Sequence, residues 1–411
     1  TPGEIIAKPP AARTAAEVEK LRAYFLAKEA PDEIRRAHEA LWEAREDRRK
    51  FADAIPTVMV MEEMPTPRDT HLLVRGQYDR LGAKVTPAGP AALPNPPRGG
   101  NRLDLAQWLV APENPLTARV AVNRLWQLHF GTGLVATGED FGTQGEYPSH
   151  PELLDWLATE FVRTGWDVKR MQKLIVTSAT YRQSSRVPKT LPAHDPDNRL
   201  LSRFPRYRLS AEMVRDQGLF ASGLLVEQAG GPSVKPYQPA GLWDELSGTG
   251  DYVPDTGDNL YRRSLYTYWK RTAPPPGLSA FDATARETCW VRETRTNTPL
   301  QALTLLNDVT YVEAARKLAE RILRESAGVD DRLALAFRRV TARGPTDTER
   351  GVLRRALERQ LAEYREDPAA ARKALKVGES AADPRLNTVE VAAYAAVCRL
   401  VMNLDEAVTK E

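Results

Sequence analysis

The loop between Gly138 and Pro151 holds the residue types best suited to chemistry. It contains a carboxylate at Asp140 and an imidazole at His150, and such a pair can act as acid–base partners or bind a metal ion. Three glycines in eight residues permit unusual backbone angles there. We therefore predict Asp140 and His150 as catalytic residues. The alternative is structural: Asp140 closes a turn, and Ser149 or His150 caps the helix that follows.

The segment from Arg286 to Thr298 is the second candidate, because its charges alternate in sign just before a predicted helix. Arginine donates paired hydrogen bonds that match a sulfate, carboxylate or phosphate group. The same geometry suits ion pairs with Glu287, Glu293 and carboxylates elsewhere, so a purely structural role stays open. The predicted anion- or ligand-binding residues are Arg286, Arg292, Arg295 and Asn297.

We expect these two segments to form one pocket. Each ends where a helix starts with proline in its first turn, at Pro151 and at Pro299. The N-terminus of a helix carries a partial positive charge, so two such ends beside arginines would attract an anionic group. His150 could then protonate or bind that group.

Composition and motifs argue against several classes of function. The 58 Lys and Arg residues nearly balance the 55 Asp and Glu residues, whereas a nucleic-acid-binding protein carries a concentrated basic face. No apolar run is long enough for a membrane span. Cys289 and Cys398 belong to no Cys-x-x-Cys motif, so we predict no metal site and no covalently bound haem. A disulfide between these two cysteines stays open.

The elements that must position these residues are predicted to be mainly α-helical. Residues 15–51 have the spacing of a helical hairpin. Short apolar runs at Val58–Met61 and His71–Val74 predict small strands, and a Pro- and Gly-rich linker follows at residues 86–100. The expected fold is a helical core with small β elements and long irregular segments rich in Pro and Gly.

Local signals refine this picture beyond the linker. The aromatic-rich run Ser264–Trp269 predicts one more strand. Thr298 with Gln301, and Thr346 with Glu349, have the spacing of capping boxes that open helices. We divide the chain into a helical hairpin arm (1–55), short strands and a Pro-rich linker (56–100), a main helical core (101–325) with an irregular insert (229–297), and a C-terminal helical bundle (326–411).

Several segments also carry a family resemblance. The blocks are Met59–His71, Asn114–Gln127, Glu139–Leu157, Thr177–Ser185, Asp195–Arg199, Arg262–Tyr266 and Arg295–Leu303. In this order, over roughly residues 56–405, they resemble the planctomycete-type PSD domain of unknown function. The resemblance carries over no catalytic residues.

The resemblance implies a place at the C-terminal end of a longer exported protein, behind cytochrome-c-like and second conserved planctomycete domains. It therefore implies a periplasmic or extracellular setting, with haem only in an upstream domain and no cofactor in this chain. The first residues, from Thr1, include neither a start methionine nor a signal-like stretch. We expect that end to arise from processing, proteolysis or engineering of a longer chain.

We expect a structural or binding module whose ligand is an upstream cytochrome-like domain, a partner chain or an anionic glycan. Because a short strand pair is not stable alone, we also expect residues 1–80 to pack against the helical body or a partner chain. The alternative is a sugar-directed oxidoreductase or hydrolase that acts on an anionic polysaccharide through Asp140 and His150. Convergence of these two residues with Arg292 and Arg295 would distinguish the alternatives.

Overall fold

A computed structural model describes residues 1–95, 100–187, 195–247, 250–292 and 294–410. Among these described residues, helices account for 52% and strands for 5%, so the prediction of a mainly α fold with small sheets is confirmed. The helices are α1 (Pro2–Ile6), α2 (Ala15–Tyr24), α3 (Asp32–Ala54), α4 (Arg102–Leu109), α5 (Thr117–Phe130), α6 (Pro151–Arg163), α7 (Val168–Val176), α8 (Ala211–Ser222), α9 (Leu242–Ser247), α10 (Pro276–Ser279), α11 (Pro299–Asn307), α12 (Val309–Glu325), α13 (Val329–Thr341), α14 (Asp347–Glu366), α15 (Pro368–Ala374), α16 (Thr388–Met402) and α17 (Asp405–Val408). The strands are β1 (Thr70–Leu73), β2 (Leu81–Val85), β3 (Tyr207–Arg208) and β4 (Thr409–Lys410).

The chain forms two compact units. The first comprises Thr1–Gly89 and Pro97–Asp104, and the second comprises Pro90–Pro96 and Leu105–Glu411. The four-part division made from the sequence stays a prediction.

The first unit contains a helical arm and a small sheet. Thr14 caps α2 in a complete capping box with Glu17. Strands β1 and β2 pair in antiparallel orientation, with Thr70 opposite Val85. The strand predicted at Val58–Met61 is wrong, because these residues form no regular element and their side chains are exposed. A β-prone run needs burial or a cross-strand neighbour to become a strand.

Helix α12 lies at the centre of the second unit. Its residues Ala314, Leu318 and Ile322 are fully buried at the four-residue spacing of one helix face. α12 packs against α8 and α16, and α16 also packs against α14 and α15. The core therefore joins residues on both sides of position 325, such as Leu318 and Phe337.

α12 also buries three charged side chains, Glu313, Arg316 and Glu320. The Arg316 guanidinium donates to Glu320 Oε1 at 3.0 Å and to the Ser380 hydroxyl at 2.8 Å. Glu313 accepts hydrogen bonds from the Tyr261 hydroxyl and from Ser380. Buried charges need such pairing, because an unpaired charge away from water is very unfavourable. We call Glu313, Arg316 and Glu320 the buried charge cluster.

A second apolar cluster packs α5 against α6 and α7. Within it, the buried Asn123 side chain donates to the Val135 carbonyl at 3.0 Å and accepts from the Val135 amide at 2.9 Å. This pair of bonds ties the loop after α5 to the helix itself. α5 ends at Gly131, whose φ of 78° lies in the left-handed region that favours glycine.

Buried arginine, not a strand, organises part of the irregular insert. The strand predicted at Ser264–Trp269 is wrong, because Ser264–Tyr266 forms a 3-10 turn. The buried Arg215 side chain donates to the carbonyls of Leu260 and Arg262 at 2.7 and 2.9 Å. These long-range hydrogen bonds outweigh the β propensity of the aromatic residues.

Of the two predicted capping boxes, the one at Thr346 is present in the structure and the one at Thr298 is not. α11 begins after Thr298 as predicted, but Thr298 makes no side-chain cap, so that capping box is wrong. Gln301 instead donates to the Thr296 carbonyl at 3.2 Å. The capping box of Thr346 and Glu349, which opens α14, is confirmed.

Candidate functional site

Asp140 closes a turn in the loop after α5. Its Oδ1 accepts a hydrogen bond from the Gly142 amide at 2.7 Å, and its carbonyl accepts one from the Thr137 hydroxyl at 2.9 Å. Gly145 approaches the same carbonyl so closely that an added Cβ atom would lie 2.1 Å from its oxygen. Both the aspartate and the glycine are therefore used to shape the loop.

His150 occupies the N-cap position of α6, directly before Pro151. Its side chain does not bond to the helix amides; instead its Nδ1 lies 3.0 Å from the Ser149 hydroxyl. Across the residues that the structure describes, no hydrogen bond joins His150 to Asp140. The catalytic assignment of these two residues stays a prediction, without a contact that could transfer a proton between them.

The predicted anion-binding residues divide into two groups. Arg286 packs its guanidinium 4.6 Å from the centre of the Trp269 ring, and Asn297 is exposed. Arg292 and Arg295 instead line a cavity beside α5. Glu293, one of the carboxylates proposed to pair with these arginines, lies outside the described residues.

The loop and the arginine segment meet at Glu139, one residue before Asp140. Arg292 forms an ion pair with the Glu139 carboxylate. Beside this pair, the Gln127 side-chain amide donates to the Val291 carbonyl at 3.2 Å. The contact therefore anchors the arginine segment against both the loop and α5.

The cavity at this junction has a volume of about 350 Å³. We call it the arginine groove, and it is open to solvent: the side chain of Arg292 is 59% exposed and Trp290 is 58% exposed. Arg124 on α5 is exposed too, and it has no hydrogen-bond or ion-pair partner among the described residues. The groove is defined by Arg124, Gln127 and Gly131 on one side and by Trp290, Arg292 and Arg295 on the other.

Tyr207 holds Arg295 in place. The Arg295 guanidinium carbon lies 4.5 Å from the centre of the Tyr207 ring, which is a cation–π distance. The Tyr207 hydroxyl donates to the His129 carbonyl at 2.7 Å. A Cβ atom at Gly131 would lie 2.9 Å from Tyr207 Cδ1 and 3.1 Å from Arg295 Nη1. Glycine at position 131 therefore allows both side chains to approach the end of α5.

Lys410 of β4 packs on the neighbouring rings. Its ammonium lies 4.7 Å from the centre of Tyr181 and 5.7 Å from that of Phe204, and it donates to the His129 carbonyl at 3.3 Å. A cation here offsets the negative end of the α5 dipole. Burial first, and the charge of Lys410 second, lower the pKa of His129. The positive charge of the groove therefore comes from arginine rather than from this histidine.

The source of positive charge differs from the one expected. From the sequence we predicted that two helix N-termini, at Pro151 and Pro299, supply it. The residues that line the groove come instead from the C-terminal half of α5, from the loop that follows it and from the arginine segment, and a helix dipole is negative at its C-terminus. Three arginines, with Glu139 paired to one of them, supply the positive charge.

Sequence reasoning missed Arg124, Trp290 and Tyr207. Arg124 and Gln127 lie three residues apart on one face of α5, and Gly131 directly follows the helix; this spacing indicates a common face but not what lies opposite it. Trp290 follows Cys289 in a polar stretch. A large aromatic residue in such a stretch is a sequence signal for a surface contact site. Nothing in the sequence places Tyr207 beside Arg295.

Within the described ranges, no group of three or more His, Cys, Asp and Glu residues could hold a metal ion. No helix there combines the length and the apolar composition needed to cross a membrane. No curated protein and no solved structure matches the chain. A family model described as PSD1, a protein of unknown function (DUF1553), matches residues 101–357, which is more than half of the 411 residues. The chain therefore belongs to the PSD1 family of proteins of unknown function.

Proposed function

We propose that this chain is a binding module of an exported, cytochrome-linked multidomain protein, and that its arginine groove binds an anionic polysaccharide. The observation that carries the proposal is the convergence of Arg124, Arg292 and Arg295 on one open cavity. The planar guanidinium group donates paired hydrogen bonds that match sulfate and carboxylate oxygens. Because Arg124 has no partner among the described residues, its donors are available to a ligand.

Trp290 supports a sugar rather than a small inorganic anion as the ligand. Its ring is 58% exposed at the edge of the groove, where an aromatic face can cover the apolar face of a sugar ring. A cavity of about 350 Å³ is at the small end of the range for ligand sites, which is roughly 300–1,000 Å³. It would hold one sugar unit with its charged substituent.

The wider setting of the proposal rests on the family resemblance. An exported module would act in the periplasm or outside the cell, with haem confined to an upstream cytochrome-like domain. The rival proposal is an oxidoreductase or hydrolase that uses Asp140 and His150. The hydrogen bonds of these side chains go to Gly142 and Ser149, so no observation favours that rival.

Isothermal titration with sulfated maltotriose, trigalacturonate and neutral maltotriose tests the proposal. We expect the chain to bind one or both acidic sugars and to bind neutral maltotriose more weakly. Arg292→Ala should weaken acidic-sugar binding about fivefold, equivalent to about 1 kcal/mol for a solvent-exposed charged hydrogen bond. Arg338→Ala is the matched control, because it removes the same charge from an exposed position on α13.

Glu139→Gln should change acidic-sugar binding in the opposite direction to Arg292→Ala. This variant removes the carboxylate that pairs with Arg292 while it keeps the shape of the side chain. Binding of the acidic sugar should strengthen by about twofold to fivefold, because the guanidinium no longer shares its charge with a neighbouring carboxylate. Equal binding by wild type, Arg292→Ala and Glu139→Gln would show that the groove is not the anion site.

A further inference from the structure

The helical arm of the first unit has almost no core. Ile5 and Ala30 are the buried apolar residues of that unit within its described residues, and α3 buries none. Isolated helices are marginally stable in water, and most helices in proteins are stabilised by packing of an apolar face. The 23 residues of α3 therefore need a surface to cover their apolar side.

α3 carries a regular apolar seam. In heptad notation, its a positions are Ile34, Leu41, Arg48 and Ile55, and its d positions are Ala37, Ala44 and Phe51. The larger seam side chains are open to solvent: Ile34 is 45% exposed, Leu41 49% and Phe51 72%. Ile55, the residue that ends α3, is 50% exposed. This a/d pattern is typical of a helix that pairs with another helix of the same period.

The neighbouring helix α2 does not use this seam. The cavity between α2 and α3 is lined on the α3 side by Asp32, Arg35, Arg36, His38, Glu39 and Trp42. None of these residues occupies an a or d position; His38 occupies the flanking e position and the others occupy b, c and f. The hairpin therefore leaves the seam of α3 free for a further helix.

The charges that flank the seam favour a parallel copy of α3 as that helix. The g positions carry acidic Glu33 and Asp47, whereas the e positions carry basic His38 and Arg45. In a parallel pair, each g position faces the next e position of the partner, which places Glu33 opposite His38 of a second copy, whereas Asp47 faces Ala52 and Arg45 faces Ala40. An antiparallel pair would place acidic edges together and basic edges together.

Arg48 also fits the parallel arrangement. A charged residue at an a position weakens a coiled coil but can specify its register. In a parallel pair, position a lies next to the preceding g position of the partner, so Arg48 would lie beside Asp47 of the second copy. Glu33 and Arg45, which flank the seam, have no ion-pair partner among the residues described, so both remain available.

We propose that α3 pairs with α3 of a second copy of this chain in a parallel, in-register coiled coil. Sedimentation equilibrium of the full chain over a wide concentration range should show an apparent mass that rises towards twice the monomer value. Leu41→Asp places a charge in the seam and should abolish the dimer. Trp42→Asp is the matched control, because it places the same charge one residue away, off the seam, and the dimer should persist.

Cross-linking tests the orientation independently of any loss of folding. In a Cys289→Ser background, Ile34→Cys should form a disulfide with the same position of a second copy under mild oxidation. An antiparallel pair would instead join Ile34→Cys to Ile55→Cys when the two variants are mixed. A monomer at every concentration, a dimer that survives Leu41→Asp, or the antiparallel cross-link would each overturn the proposal.

Discussion

The buried charge cluster of α12 and the arginine groove use the same residue type in opposite ways. Arg316 is 1% exposed and donates to Glu320 and Ser380. Arg292 is 59% exposed and pairs with one carboxylate, Glu139, and Arg124 has no partner among the residues described. An arginine that donates to buried acceptors holds the fold together, whereas one with donors facing solvent is available to a ligand.

The largest expected difference between the two regions is in stability. Arg316→Met leaves the buried Glu313 without its cation and leaves Glu320 paired with Lys317, and removing one partner of a buried pair costs about 3–5 kcal/mol. Arg292→Ala breaks an exposed pair and should cost less than about 1 kcal/mol. Denaturant unfolding of both variants measures the free energy of unfolding directly. Equal losses in the two variants would remove the distinction between a structural and an available arginine.

Tyr207 sharpens the comparison, because it positions an arginine through the face of its aromatic ring. Tyr207→Leu removes the ring beneath Arg295 and should weaken binding of the acidic sugar by about twofold to fivefold, as expected for a cation–π contact of about 0.5–1 kcal/mol. Tyr207→Phe keeps the ring and loses the hydroxyl that donates to the His129 and Leu128 carbonyls, so binding should be restored. If both variants bind alike, the ring does not position Arg295.

The exposure of Arg343, at 41%, lies between those of Arg316 and Arg292. Its ion pair with Glu349 has the smallest expected effect on stability. The hydrogen bonds that Arg343 donates to the Glu349 carboxylate, followed by those from Thr346, lower the pKa of Glu349 from 4.5 to about 2. Because the folded-state pKa is below the unfolded one, this contribution to stability is present above pH 4.5 and is lost as the pH falls towards about 2. The Glu349 side chain is 35% exposed, so screening keeps the contribution below about 1 kcal/mol.

Unfolding measured between neutral pH and pH 3 tests this prediction. Glu349→Gln should remove part of the acid-induced loss of stability, whereas Glu358→Gln, an exposed control on the same helix, should not. Parallel pH profiles for wild type and Glu349→Gln would show that the Arg343 pair contributes nothing measurable.

The sequence predicted the local features of the fold well where a local rule determines them. Pro151 starts α6, and Thr346 with Glu349 starts α14, because caps and first-turn prolines depend on neighbours within one helical turn. The run Ser264–Trp269 failed for the opposite reason. Its conformation depends on distant residues: Arg215 donates to the carbonyls of Leu260 and Arg262, and Thr267 forms an isolated β-bridge with Val234 rather than part of a strand.

The same limit applies to the candidate site. Arg292 and Arg295 were identifiable because they share one charged segment. Arg124 was not, because it is separated from Trp290 by well over a hundred residues and only the packing of α5 against the arginine segment brings them to one cavity. The helix N-termini predicted as the source of charge stay a prediction, because a dipole argument needs the direction of the helix relative to the site, which the sequence does not give.

Hydrogen–deuterium exchange of the full chain, with and without saturating sulfated maltotriose, tests the central claim most directly. If the arginine groove is the anion site, amide exchange should slow around Leu128–Ala136 and Trp290–Arg295, and it should not slow when neutral maltotriose is added. The first turns of α6 and α11 should be unchanged. Slower exchange at Pro151–Leu154 and Pro299–Ala302, with no change at the groove, would contradict the account and return the site to the two helix N-termini.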